Sequence, residues 1–184
     1  MCVVLENYGT FRVEDLLKPD IPEKCVEIVA GSLVVMTPAG KYHNRVAFRF
    51  QVLFQEFCET KPNLDFGGDN EGFLLRRNPD LLLSPDACLF RKRPETESPW
   101  LEFSPEVVVE VLSASNNPSE MAYKVRKYLD AGTEQVWIAS LENRSLEIVF
   151  RDGHRLTAQG TEKVEGEGIA QGVLVDLDWL FYRD

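Results

Sequence analysis

The order of hydrophobic and polar residues in the first third of the chain predicts a β-hairpin followed by a long helix. Segments Val26–Val29 and Ser32–Met36 are mostly apolar, and Gly31 between them can adopt the positive φ that a tight hairpin turn needs. Within Tyr42–Cys58, apolar residues recur every three or four positions, which is typical of an amphipathic helix. This part of the chain is therefore predicted to fold as a hairpin and one helix.

Short apolar runs separated by turn residues come next, and they predict further strands. Gly67, Gly68 and Gly72 are predicted to lie in a loop before these runs. The β-branched run Val107–Val111 is typical of a central strand that is buried on both faces. Strands are predicted at Phe73–Leu75, Leu81–Leu83, Ala87–Phe90, Val107–Val111 and Gln135–Ala139, and as a hairpin at Leu146–Phe150 and Arg155–Thr157.

A second helix is predicted in the segment that follows the strand at Val107–Val111. Asn117 is a suitable N-cap, Pro118 suits the first helical position, and Gly132 suits the position just after the helix. The last apolar segment, Gly172–Trp179, is predicted to be a short strand or a tail that packs on the core or on a partner.

Length and composition favour a single globular domain. The chain has 184 residues, of which 44% are hydrophobic and 27% are charged. The order of elements predicts a mixed α/β domain over residues 1–184, with a mixed β-sheet flanked by helices and an N-terminal β-hairpin. No apolar run approaches the roughly 20 residues of a membrane helix. The first residues lack a secretory pattern, so we expect a cytoplasmic protein that does not contact a membrane.

The net charge of −10 limits the ways in which this chain can bind nucleic acid. Tight binding that is independent of sequence requires many Lys and Arg residues, because they displace counterions from phosphates. The runs Arg76-Arg77 and Arg91-Lys92-Arg93 could form a local basic patch, although runs of charge are more often solvated surface. The charge therefore argues against a broad basic surface without excluding a local one.

Glu110 is conspicuous because it interrupts an otherwise apolar strand. By the two-residue alternation of a strand it shares a face with Val108 and Leu112, so its carboxylate is predicted to be buried. A buried carboxylate needs a cation, a basic side chain or access to solvent. Glu110 therefore either belongs to a functional site, or lines a solvated cleft or pairs with an arginine.

Asp86 is a second carboxylate that is predicted to lie near Glu110. It follows Pro85 where the strand Ala87–Phe90 begins, a pattern that also describes an ordinary turn. Two carboxylates on neighbouring strands repel each other unless a hard cation such as Mg²⁺ or Mn²⁺ binds between them. Such a site can generate a hydroxide and stabilise charge on a phosphate.

Lys124 is predicted to supply a positive charge at the same place. On the second helix it borders the apolar stripe formed by Met121, Val125 and Tyr128. A helix that follows the Glu110 strand packs back over the sheet, so Lys124 can reach the carboxylates and orient a water or neutralise negative charge. The alternative is a lysine that extends into solvent from the edge of the helix.

These residues, in this order, resemble the Uma family of proposed endonucleases, which has the PD-(D/E)XK restriction-endonuclease-like fold. The resemblance extends over nearly the whole chain, from the N-terminal hairpin to the C-terminal segment. It rests on Ser84-Pro85-Asp86, Glu110-Val111-Leu112-Ser113, Lys124 with Tyr128 and Gly132, Gln135-Val136-Trp137-Ile138 and the hairpin residues Glu27-Ile28-Val29.

The resemblance implies a Mg²⁺- or Mn²⁺-dependent endonuclease that acts on nucleic acid, with DNA favoured. Asp86 and Glu110 match the metal-binding acids, Lys124 matches the catalytic lysine, and Glu27 matches an acidic residue near the site. Leu112 stands where the simplest pattern of the superfamily has its lysine, two residues after the second acid. Lys124, from the following helix, would therefore take that role.

Two further residues have open alternatives. Glu27 either adds a third carboxylate to the metal site or lies on a solvated face of the hairpin. His43 either contacts a phosphate or a nearby acid, or is a half-buried histidine at the start of the first long helix.

The leading hypothesis is a Mg²⁺-dependent DNA endonuclease, and a homodimer is expected because cleavage of both strands commonly uses two sites. Val173–Phe181 is the candidate dimer interface. The alternative is a non-catalytic nucleic-acid-binding or regulatory module on a degenerate nuclease fold, which the acidic charge motivates. Hydrolysis through Ser113 or Ser115 ranks far lower, because the chain has no G-x-S-x-G turn.

Overall fold

Two β-sheets and two long helices dominate the computed structural model, which describes residues 11–19, 21, 26–68, 70–113 and 117–183 and the backbone of 3–5. The helices are α1 (Lys41–Glu59), α2 (Pro118–Ala131) and the short α3 (Leu177–Leu180), with 3-10 helices at Val13–Leu17 and Gly168–Ala170. The strands are β1 (Val3–Leu5), β2 (Val26–Val29), β3 (Ser32–Val35), β4 (Leu64–Gly68), β5 (Phe73–Arg76), β6 (Leu81–Leu83), β7 (Ala87–Arg91), β8 (Val107–Leu112), β9 (Gln135–Ser140), β10 (Ser145–Phe150), β11 (Arg155–Gln159), β12 (Lys163–Glu165) and β13 (Leu174–Asp176). The predicted mixed α/β class is confirmed.

The larger sheet has six strands in the order β11-β10-β9-β8-β7-β4. Strand β8 runs parallel to β9 and antiparallel to β7. Parallel neighbours need a crossover connection, and α2 provides it between β8 and β9. As a result, α2 lies against the sheet directly beside β8.

Both faces of β8 are buried, as its apolar run predicts. Its odd-numbered residues belong to the core formed with α1, where Phe50 and Phe54 contact Trp137 edge-on at centroid distances of 6.2 and 5.7 Å. On the other face, Val108 packs with α2 and β6. Successive residues of β8 therefore face α1 and α2 in turn, and this alternation directs Glu110 towards α2.

The predicted hairpin is present as β2 and β3, within a second sheet of order β1-β3-β2-β6-β5. Its turn residues Ala30 and Gly31 have φ values of 51° and 77°, the left-handed conformation that a two-residue hairpin turn requires. Strand β6 pairs with β2 and packs against α2. The five-stranded sheet therefore brings β2 to the face of the six-stranded sheet on which α2 lies.

The ends of α2 have the caps that the sequence predicts. The Asn117 side chain accepts a hydrogen bond from the Ser119 backbone N–H at 2.9 Å, and Pro118 begins the helix. Gly132 follows the last helical residue with a φ of 116°, a conformation that side chains with a Cβ rarely adopt. These caps fix the start of α2 and therefore the position of Lys124 along the sheet.

One predicted loop and one polar segment form strands instead. Gly67 and Gly68 lie in β4, an edge strand paired with β7, so the prediction of a loop there was wrong. Strand β12, which pairs with β13, was not predicted because Lys163–Glu165 has no apolar alternation of sufficient length. In both cases the partner strand, rather than the local sequence, determines the structure.

The C-terminal segment packs mainly on the core of its own chain. Five of its apolar residues are at most 3% exposed: Val173, Val175, Leu177, Leu180 and Phe181. These five side chains are therefore unavailable for a dimer interface, whereas Leu174 and Trp179 of the same segment are 51% and 42% exposed. None of the helices in the described ranges combines the length and apolar character needed to cross a membrane.

Candidate active site at the end of strand β8

Glu110 points from β8 towards α2, and the residue is only 5% exposed. Its Oε1 accepts a hydrogen bond from the Tyr128 hydroxyl at 3.0 Å, and its Oε2 lies 3.5 Å from the Lys124 ammonium. Lys124 and Tyr128 are four residues apart on α2, so both lie on the helix face above Glu110. Glu110 therefore neither lines a solvated cleft nor pairs with an arginine among the described residues.

Lys124 connects Glu110 to a second buried carboxylate, Glu27 of β2. The ammonium donates a hydrogen bond to Glu27 Oε1 at 2.8 Å, and the same oxygen accepts the Ser84 backbone N–H at 3.1 Å. The Glu27 side chain is 2% exposed and that of Lys124 is 20% exposed. A solvated Glu27 and a lysine extending into solvent, the two alternatives left open by the sequence, are both wrong.

Asp86 lies where β7 begins beside β8. Its backbone N–H donates to the Val109 carbonyl at 3.1 Å, and its Oδ2 accepts the Val111 backbone N–H at 2.7 Å. These bonds tie Asp86 to the residues on either side of Glu110. The structure therefore brings together the three residues predicted as the site, with Glu27 beside them.

Helix α1 also reaches Asp86. The His43 Nε2 atom lies 3.5 Å from Asp86 Oδ2, and its Nδ1 is buried without a hydrogen-bond partner among the described residues. Gln51, about two turns further along the helix, donates from Nε2 to the Asp86 backbone carbonyl at 2.9 Å. His43 therefore fits both descriptions considered for it, because it is half-buried at the start of α1 and also lies beside an acid.

Two carboxylates, Glu27 and Glu110, contact one ammonium at this site, and the charge of Asp86 also acts on Glu110 and Lys124. Burial raises the pKa of Glu110 from 4.5 to about 8; the Asp86 and Glu27 charges add to this rise, whereas Lys124 and the Tyr128 hydroxyl oppose it. Burial alone would lower the pKa of Lys124, but the three carboxylates outweigh burial and raise it. Lys124 therefore stays charged, and the site has an excess of negative charge.

The donor set suits a hard divalent cation. Mg²⁺ prefers carboxylate oxygens, usually through one or two protein carboxylates, and keeps several waters. Asp86 and Glu110 offer such a pair, and burial together with the Asp86 and Glu27 charges disfavours an ionised Glu110 unless a cation is present. In the part of the chain that is described, no three His, Cys, Asp or Glu side chains are grouped to hold a metal ion. A two-carboxylate site completed by water does not need such a group.

We expect the metal-free protein to lose stability as the pH rises towards 8. The folded-state pKa of Glu110 is raised from 4.5 to about 8, so the folded chain binds this proton more tightly than the unfolded chain. The stability that this proton contributes is complete below pH 4.5 and is lost as the pH rises through about 8. Thermal unfolding in EDTA between about pH 6 and 8 measures the loss. Glu110→Gln is the control, and equal pH dependence in both proteins would refute the prediction.

Gly68 makes room for the contact between Gln51 and Asp86. A Cβ at Gly68 would lie 2.5 Å from Gln51 Nε2 and 2.7 Å from the Asp86 carbonyl oxygen. We expect Gly68→Ala to displace both groups, lowering the free energy of unfolding by about 1–3 kcal/mol and reducing any metal-dependent activity. Gly40→Ala is the matched control, because nothing lies within 4 Å of a Cβ there. Urea denaturation would contradict the prediction if both variants matched the wild type.

Sequence reasoning missed two groups at the site. Tyr128 was placed in the apolar stripe of α2 and in the family motif but given no role at the site, although its spacing of four residues from Lys124 was the available signal. Gln51 lies on a helix 35 residues before Asp86, and only the packing of α1 on the sheet brings them together. No pattern in the sequence indicates that contact.

Three residues of the basic runs considered as a nucleic-acid patch are paired with acids: Arg77, Arg91 and Arg93. Arg77 lies within ion-pair distance of Glu14, Asp80 and Glu102. Arg91 and Arg93 both lie 3.0 Å from Glu106. The charges of these three arginines are therefore offset within the chain, whereas Arg76 and Lys92 have no ion pair among the described residues.

One family model matches a stretch of the chain that includes Glu27, Asp86, Glu110 and Lys124. The model Uma2, described as "Putative restriction endonuclease", matches residues 13–177. The chain belongs to the Uma2 family. This confirms the resemblance drawn from the sequence motifs, and it places the chain in a family of the nuclease class.

A solved structure also resembles this Uma2 protein. The crystal structure of a "putative nuclease belonging to DUF820" from Anabaena variabilis ATCC 29413 matches with a TM-score of 0.78 and 13% sequence identity. The match covers 91% of this chain and 96% of that chain. At this identity the likeness shows a shared fold, which is nuclease-like. No curated protein matches the sequence.

Proposed function

We propose that this Uma2 protein is a Mg²⁺- or Mn²⁺-dependent endonuclease that hydrolyses phosphodiester bonds, with DNA as the favoured substrate. The observation that carries the proposal is the convergence of Asp86, Glu110 and Lys124 at the end of β8. The family description supports the nuclease class. The excess of buried negative charge supports a metal-assisted route.

Asp86 and Glu110 are the residues that would hold the metal. When bound, Mg²⁺ supplies polarisation of a phosphoryl oxygen and acidification of a water. The Val111 N–H orients the Asp86 carboxylate, and the Tyr128 hydroxyl orients that of Glu110. A carboxylate has about four lone-pair positions, and each of these hydrogen bonds occupies one of them.

Lys124 supplies positive charge to the reacting phosphate. Negative charge builds up on the phosphoryl oxygens during attack, and an ammonium held in a buried site stabilises it more than one in water. Glu27 positions this ammonium through Oε1 at 2.8 Å. Both contacts of Glu27 use Oε1, so Oε2 is the atom through which Glu27 would act as a third metal ligand.

Cleavage of supercoiled plasmid DNA and of RNA, with Mg²⁺ or Mn²⁺, tests the proposal. We expect nicking that depends on the metal, stops with EDTA and is lost in Asp86→Asn, while circular dichroism shows that this variant is folded. If the wild-type protein cuts neither DNA nor RNA with either metal, the assignment as an enzyme is wrong.

The competing function is a non-catalytic module on a degenerate nuclease fold. Degeneration would have removed one of the acids or the lysine. This chain retains all three: Lys124 lies 3.5 Å from Glu110, and Asp86 is bound to the Val111 N–H beside Glu110. Calorimetric titration with Mn²⁺ separates the two functions, because a retained site binds the metal and a degenerate site gives no heat.

A homodimer remains part of the proposal, since cleavage of both DNA strands commonly uses two sites. Its interface must lie elsewhere than the buried side chains of Val173–Phe181. Sedimentation that finds only monomer at micromolar concentration would contradict the dimer.

A further inference from the structure

One side of α1 and the C-terminal residues form an exposed surface beside the proposed active site. Trp179 and Tyr182 are 42% and 56% exposed. Arg49 donates hydrogen bonds to the Leu180 and Tyr182 carbonyls at 2.9 Å each, and its guanidinium lies 5.5 Å from the centre of the Trp179 ring. We call this the α1–C-terminal surface, formed by Tyr42, Arg49, Trp179, Tyr182 and Arg183.

One end of this surface lies on the turn of α1 that also carries His43. The Tyr42 hydroxyl donates to the Phe181 carbonyl at 2.8 Å, and the guanidinium of Arg183 lies 4.0 Å from the centre of the Tyr42 ring. Tyr42 precedes His43, whose Nε2 lies 3.5 Å from Asp86. From Tyr42 to Arg49 the surface follows α1 for about 10 Å, the length of about three nucleotides of one B-form strand.

The arginines of this surface contact rings and carbonyls instead of acids. Five arginines elsewhere lie within ion-pair distance of carboxylates: Arg77, Arg91, Arg93, Arg144 and Arg155. Arg49 and Arg183 have no such carboxylate among the described residues, and each lies over an aromatic ring. In a chain of net charge −10, these two cations are left to attract an anion.

We propose that the α1–C-terminal surface binds a single-stranded segment of the nucleic-acid substrate, next to the scissile phosphate. The proposal rests on the proposed function. Surfaces that bind single strands combine cations for the phosphates with aromatic rings on which bases stack. Here Arg49 and Arg183 supply the cations, and Trp179 and Tyr182 supply the rings.

A second copy of the chain is a poorer occupant of the same surface. A twofold dimer interface places the same patch on both partners. Such an interface would collect Arg49 and Arg183 of both copies in one patch, and gathering like charges there is unfavourable. A polyanion is complementary to this charge, whereas a second copy is not.

Fluorescence anisotropy with a labelled single-stranded DNA 12-mer, with Ca²⁺ in place of Mg²⁺ to slow cleavage, tests the surface. We expect Tyr182→Ala to weaken binding about tenfold or more, because one stacked base is lost. We expect Arg183→Gln to lower the salt dependence of log K by roughly 0.7, the value for one phosphate of a single strand. In cleavage assays both variants should raise KM and leave kcat near the wild-type value.

Phe48→Ala is the matched control, because Phe48 is an exposed aromatic on the same helix, 63% exposed, and points about 100° away from Arg49. Binding should also quench the fluorescence of Trp179, and Trp179→Phe should lose this quenching. A structural role for the surface would not produce quenching on addition of DNA.

Four results would overturn the proposal. If the wild type cleaves DNA and Tyr182→Ala and Arg183→Gln bind the 12-mer as tightly as the wild type, the α1–C-terminal surface does not bind the substrate, and the endonuclease function is unaffected. If the variants lose affinity for a duplex as much as for the single strand, the occupant is not a single strand. If Tyr182→Ala converts a dimer to a monomer in sedimentation, the occupant is a second copy. If the wild type neither binds nor cleaves nucleic acid, the proposed function fails as well.

Discussion

Glu110→Gln is expected to abolish metal-dependent cleavage while leaving the metal-free protein at least as stable as the wild type at pH 8. Glutamine keeps an acceptor for the Tyr128 hydroxyl, and Lys124 keeps its bond to Glu27. The substitution removes a charge whose burial raises its pKa to about 8, and with it the cost of ionising that group inside the fold. The loss of activity then cannot be attributed to unfolding.

The expected loss of activity in Glu110→Gln can be estimated from the charge stabilisation that a bound metal supplies. Loss of several kcal/mol of charge stabilisation lowers the rate by about 10³ or more. In thermal unfolding, metal at about 100 times its Kd should raise the Tm of the wild type by roughly 5–10 °C. Glu110→Gln should lose this rise. A variant that keeps both the metal-induced rise and the cleavage would show that Glu110 is not a metal ligand.

Lys124→Met is expected to lower both activity and stability. The substitution leaves Glu27 and Glu110 buried without their cation, and removal of one partner of a buried ion pair costs about 3–5 kcal/mol. Cleavage should fall by about 10² or more because a positive charge next to the phosphate is lost. Urea denaturation and plasmid cleavage measure the two effects.

Adding Glu27→Gln to Lys124→Met separates these effects. The double variant no longer buries the Glu27 charge, and the new amide oxygen can still accept the Ser84 N–H. Most of the lost stability should return, while cleavage stays low. Recovery of cleavage together with stability would mean that Lys124 acts only as a structural counter-ion.

Most of the elements that carry the site could be predicted from the sequence. The run Val107–Val111, the caps Asn117 and Gly132 and the periodic apolar positions of α1 each encode a local preference that the structure retains. Strand β4 could not be predicted, because Gly67 and Gly68 have low strand propensity and only pairing with β7 makes that segment a strand.

For the candidate site, too, some positions could be predicted from the sequence and others could not. The two-residue alternation of β8 placed Glu110 on the α2 face, and the 3.6-residue period of α2 placed Lys124 at the edge of its apolar stripe. Glu27 could be connected to the site only through the family resemblance. Its contact with Lys124 joins residues 97 apart, and it exists because β2 and β6 pack against α2.

The sequence by itself thus determined the periodic elements, the burial of Glu110 and the order of the family motifs, because these depend on spacing along one strand or one helix. The tertiary structure alone decided the Gln51–Asp86 contact, the ion pairs of Arg91 and Arg93 and the burial of five apolar C-terminal side chains. It also decided that Arg49 and Arg183 lie over aromatic rings beside the site. Each of these features depends on which distant segments pack together, and the residue pattern within one segment does not specify which segments will pack against it.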